Sequence, residues 1–111
     1  ITSANTSLTT ITTTNTNITI GGYVKYFVKN GICYVTVYNV TSSTTGKQLI
    51  SDSIPTPENT LMYSSSIMGG ENEGIHRGYM YVDNGSAELY IDFKDAGFDV
   101  YGSLSYPVAE S

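Results

Sequence analysis

Few side chains in this chain are able to do chemistry, and their spacing separates the classes. His76 is the single histidine and Cys33 the single cysteine. Nucleophilic catalysis needs a serine or cysteine hydrogen-bonded to a histidine that a carboxylate orients. No G-x-S-x-G stretch offers such a serine, and Cys33 sits inside GICYV, where a thiol packs as a small hydrophobe. One cysteine makes no intrachain disulfide and no thiolate zinc site, and no D-x-[DN]-x-[DN]-G calcium loop occurs. Glu71 and Glu73 of GGENEG are two loop carboxylates, which solvent ordinarily holds. Glu88 and Asp92 lie four residues apart on one face of a strand, as an acid/base pair of a glycosidase would need. Both find cross-strand partners in the hairpin register expected below, Tyr81 for Glu88 and Arg77 for Asp92. These residues point to a binding domain and not an enzyme, with neither metal nor cofactor.

Tyrosine is the chemistry left over. There are ten in 111 residues, and Tyr23, Tyr34, Tyr38, Tyr79, Tyr81, Tyr90 and Tyr101 fall on faces turned away from the expected core. A ring with a hydroxyl at its tip suits subunit interfaces and sugar stacking. The densest meeting of polar and aromatic groups is MGGENEGIHRGY. It offers Glu71, Asn72, Glu73, His76 and Arg77, with Tyr79 and Tyr81 on the strand that follows. The glycines at 69, 70, 74 and 78 permit the irregular backbone of a binding loop. The competing reading of this segment is a solvated approach to a hairpin, with Arg77 simply paired to Asp92.

Charge narrows the partners. Only 14% of residues are charged and the formal net charge is -5. The cations Lys25, Lys29, Lys47, Arg77 and Lys94 form no stripe, so neither a nucleic acid nor an anionic membrane surface is an expected partner. No apolar run approaches the ~18 residues of a transmembrane helix. The chain opens on Ile1 with no apolar signal core and reads as a piece of something longer.

The elements that must hold these residues are strands. GYVKYFVKNGICYVTVYNV places Asn30-Gly31, the preferred pair for a two-residue type I′ turn, between two alternating segments. That turn sets Val28 against Cys33, Tyr26 against Val35 and Val24 against Val37 on the core face. Phe27 with Tyr34, Lys25 with Thr36 and Tyr23 with Tyr38 take the other face. Asn84-Gly85 predicts a second hairpin, with Met80 opposite Leu89, Gly78 opposite Ile91, His76 opposite Phe93 and Arg77 opposite Asp92. Alternation adds a closing strand, with Phe98, Val100, Leu104 and Tyr106 inward, and a weaker one over Leu61 to Met68. KQLISDSIPTPENT reads as a turn-rich connection. The fold class is all-β, most simply an antiparallel two-sheet sandwich, jelly-roll-like, of about seven or eight strands. Residues 1–19, rich in Thr and Asn, read as a linker or stalk end, and 20–111 as the sandwich domain.

The order of the pieces resembles the C-terminal head domains of tail fibres and receptor-binding proteins from phages and prophages of Gram-positive hosts. The pieces are KNGICYVTV at 29–37, SIPTPENTL at 53–61, the hairpin at 78–90 and VYGSLSYPV at 100–108. The resemblance implies a homotrimer preceded by a stalk, located in the virion, whose head adheres to host cell-wall saccharide. It carries over no individual site residue. Two other readings remain: a carbohydrate-binding module of a bacterial surface enzyme, and a purely structural virion or baseplate domain. A glycosidase domain in the same chain would mark the first, and silence on a glycan array the second.

Overall fold

In a computed structural model, which describes residues 5–69 and 74–109, the chain is sheet from its Thr-rich opening onward. The strands are β1 (Thr6–Thr10), β2 (Ile18–Lys29), β3 (Ile32–Ser42), β4 (Gly46–Ser51), β5 (Tyr63–Gly69), β6 (His76–Val82), β7 (Leu89–Phe93) and β8 (Val100–Pro107). There is no helix among the described residues. Asn30 and Gly31 both take positive φ, 52° and 78°, as a type I′ turn requires. The β2–β3 register is the expected one throughout, from Tyr23 opposite Tyr38 to Val28 opposite Cys33.

From Thr6 the tract read as a lead-in belongs to the domain. β1 pairs with β2, Thr6 lying opposite Val28 and Thr10 opposite Lys25. Ile11 and Ile18 are both buried in the common core. β-branched threonine favours extended chain even where no alternation announces a strand.

The expected pair of separate sheets is replaced by one. All eight strands join in the order β1-β2-β3-β8-β5-β6-β7-β4. The link between its halves is short: only Met68 with Tyr101 and Gly69 with Val100 pair across β5 and β8. The sheet curls into a half-barrel rather than a sandwich or jelly roll. Its inner face carries Val24, Val35, Val37 and Leu104 from one half and Ile67, Met80, Ile91 and Phe93 from the other. Amide side chains of the β1–β2 connection clasp the far edge. Asn15 Nδ2 donates to Gln48 Oε1 at 3.2 Å and to the Leu49 carbonyl at 3.0 Å, and Asn17 Nδ2 donates to Gln48 Oε1 at 3.2 Å.

The second hairpin corrects the expected register by two residues. Asn84 and Gly85 do form a tight turn, with φ of 58° and 67°, and Ser86 N–H donates to the Asp83 carbonyl. The β6–β7 ladder, however, resumes only with Tyr81 opposite Tyr90. Met80 therefore pairs with Ile91 rather than Leu89, Gly78 with Phe93 rather than Ile91, and Tyr79 with Asp92. A two-residue slip leaves every side chain on its own face. Met80 is accordingly inside and Tyr79 outside, as expected.

Cys33 is fully buried and lies opposite Tyr106. Burial pushes its thiol above the ordinary range, outweighing the lowering by the Tyr106 hydroxyl. Since the thiolate is the reactive form, an aromatic disulfide reagent should label native protein on the order of 100-fold more slowly than unfolded chain. Equal rates would place Cys33 outside the core.

Candidate functional site

Between Ile67 and Met68 the β5–β6 register shifts: Ile67 faces Gly78, but Met68 faces His76. The extra residue is a β-bulge, which re-aims the side chains on either side of it. It exchanges the expected roles of His76 and Arg77. His76 packs edge-on against Tyr79, with ring centroids 5.1 Å apart. The two-residue slip has already set Asp92 opposite Tyr79, and Arg77 turns away. Its Nη1 pairs with Asp95 Oδ2 at 3.0 Å, its Nε donates to the Gly69 carbonyl at 3.2 Å, and its guanidinium lies 3.8 Å from the centre of the Phe98 ring. Only 11% of the Arg77 side chain is exposed. Glu71, Asn72 and Glu73 lie outside the described residues. Of the seven residues expected to form a site, His76, Tyr79 and Tyr81 come together.

They meet groups the sequence reading did not assign to a site. Two rows cross the outer face of the sheet. In one, Ser66 lies opposite Tyr79, Tyr79 opposite Asp92, and Asp92 opposite Lys47. In the other, Ser64 lies opposite Tyr81, Tyr81 opposite Tyr90, and Tyr90 opposite Leu49. Tyr79 is 51% exposed, and a groove over it is lined by Met62, Ser64, Tyr79, Tyr81 and Asp92. Tyr81 stacks on Tyr90 at 5.5 Å, and Lys47 Nζ caps the Tyr90 ring at 4.2 Å. Burial, then the Asp92 and Asp83 carboxylates, push the Tyr81 phenol up. Burial, then Glu88, does the same for Tyr90. Both therefore stay protonated and able to donate. The arrangement offers aromatic faces, hydroxyl donors and acceptors, and one carboxylate acceptor. The signal for its serines was present in YSSSIM, where the serine run alternates exposed Ser64 and Ser66 with half-buried Ser65.

A second aromatic cluster lies on the outer face of β2 and β3. Tyr23 and Tyr38 meet at 5.4 Å and Phe27 stacks on Tyr34 at 5.0 Å. All four rings are exposed. The off-core placement expected for these tyrosines holds.

No protein-family model matches the chain, and no curated protein does. Its fold is similar to the head domain of phage bIL170, whose crystal structure addresses a common fold for the receptor-binding domains of lactococcal phages. The TM-score is 0.65 over 93% of this chain and 98% of that one, at 13% identity. The resemblance to phage receptor-binding heads read from the sequence is met at the level of the fold.

Proposed function

We propose that this chain, which has the fold of a lactococcal phage head domain, is the adhesion head of a phage-type tail and binds saccharide on the host cell surface without chemistry. The observation that carries the reading is the exposed Tyr79 platform flanked by Asp92, Ser64 and Ser66. Sugars present apolar ring faces and polar rims, and such sites pair an aromatic plane with a few fixed polar groups. The buried Cys33 and the edge-on His76 are not set up as a nucleophile and base, which supports binding over catalysis. In this reading the protein resides in the virion and assembles as a homotrimer. The row of Tyr23, Tyr38 and Tyr101 across β2, β3 and β8 supplies the contact between copies, since exposed aromatic surface is ordinarily covered by a partner.

The test uses purified protein, intact lactococcal cells and the polysaccharide extracted from their walls. Retention on both, with the mass of three chains by light scattering, is expected. Failure to bind cells or polysaccharide would refute the adhesion reading. A monomer at micromolar concentration would refute the assembly.

A further inference from the structure

The groove over Tyr79 does not end at β5. A second groove between β5 and β8 shares Met62 and Ser64 with it. A third, against β3, shares Ser103, Leu104 and Ser105 with the second and reaches Phe27 and Tyr34. The residue rows run on in the same way. Ser105 lies opposite Tyr34 and Tyr34 opposite Phe27, while Ser103 lies opposite Thr36. Aromatic pairs thus stand at both ends, Tyr81 on Tyr90 and Phe27 on Tyr34. Between them the outer face carries small hydroxyl side chains, exposed Ser64 and Ser66 on β5 and Ser103 and Ser105 on β8, with exposed Met62 at the margin. Strands favour β-branched and aromatic residues on such a face. Four serines leave a trough where larger side chains would fill it. The trough lies where the β5–β8 ladder stops, since pairing is confined to Met68–Tyr101 and Gly69–Val100.

From this continuity we infer that the ligand is an oligosaccharide laid across the strands, from Tyr79 and Tyr81 over the serine seam to Phe27 and Tyr34, and not a single terminal sugar. The inference rests on the saccharide reading above and deepens it. Crossing from β6 through β5 and β8 to β3 takes three inter-strand steps, about 15 Å in all at ordinary spacing, longer than one sugar ring. The terminal rings stack on sugar faces, and the serine hydroxyls between them both donate and accept.

The experiment is calorimetric titration of the full chain with lactococcal wall polysaccharide size-fractionated from monosaccharides to hexasaccharides. Affinity should rise about tenfold or more from the shortest to the longest fraction. Tyr34→Ala should remove that gain, whereas Tyr79→Ala weakens every fraction. Ser105→Tyr, a substitution that strands accept, should obstruct the trough and reproduce Tyr34→Ala; thermal melting confirms that each variant folds. Length-independent affinity with a silent Tyr34→Ala would overturn the extended site and leave the saccharide reading standing. A change of mass in Tyr34→Ala without a change in affinity would also overturn it, assigning that end to a contact between copies. Binding of neither polymer nor fractions would defeat both readings.

Discussion

Gly78→Ala is expected to destabilise the domain by upwards of about 3 kcal/mol and to lower the melting temperature by more than about 10 °C. Gly78 sits in the middle of three strands, opposite Ile67 on one side and Phe93 on the other. Its φ is 130°, which L side chains rarely adopt. A Cβ there would land on the Asp92 carbonyl oxygen and 3.1 Å from the Lys94 nitrogen. That nitrogen donates to the Arg77 carbonyl at 2.9 Å, so the backbone that must yield is itself tied down. Two controls separate the contributions. Gly46 has φ of 91° but open space around it, so Gly46→Ala should show the backbone cost alone, about 1 kcal/mol. Gly74 has neither constraint, and Gly74→Ala should stay within about 0.5 kcal/mol. Equal melting temperatures for all three would mean that β6 does not pass between β5 and β7 as described.

The same stretch shows what was legible in the sequence and what was not. The β2–β3 hairpin was readable to the residue because its turn and its ladder are adjacent: pairing begins at Lys29 with Ile32. The β6–β7 hairpin has an equally good Asn-Gly turn, yet Ala87 and Glu88 stay out of the ladder, and turn chemistry does not report where pairing resumes. Face assignments survived because the slip was even. The bulge at Arg77 is a shift of one, and there the faces did change. β4 escaped because GKQLIS has no alternation. It is held by its partner strand, Lys47 lying opposite Asp92 and Leu49 opposite Tyr90. β1 escaped because TSLTT, with its single apolar residue Leu8 exposed, gives no inward and outward contrast. The aromatic part of the candidate site could be read as residue types. Its serines and Asp92 are brought beside Tyr79 by pairing between strands that no local pattern encodes.

The division of labour among His76, Arg77 and Tyr79 yields the other large expected effect. Tyr79→Ala should weaken binding to cells and polysaccharide by about 10- to 100-fold, the range for losing one aromatic platform of about 1–3 kcal/mol. Its melting temperature should barely move, because half of that side chain is already in solvent. Tyr79→Phe should restore most of the binding, since stacking uses the ring and not the hydroxyl. Arg77→Ala should do the reverse. It removes the ion pair to Asp95, the hydrogen bond to the Gly69 carbonyl and the stack on Phe98, at a cost of about 2 kcal/mol. Ligand affinity of the folded fraction should remain unchanged. His76→Ala should fall between them, weakening binding only as far as Tyr79 loses its edge-on neighbour. The measurement is paired: a melting curve and a binding isotherm on each variant. If Arg77→Ala loses binding at full stability while Tyr79→Ala keeps it, recognition belongs to the bulge and the segment before it, and the outer face of β6 is only surface.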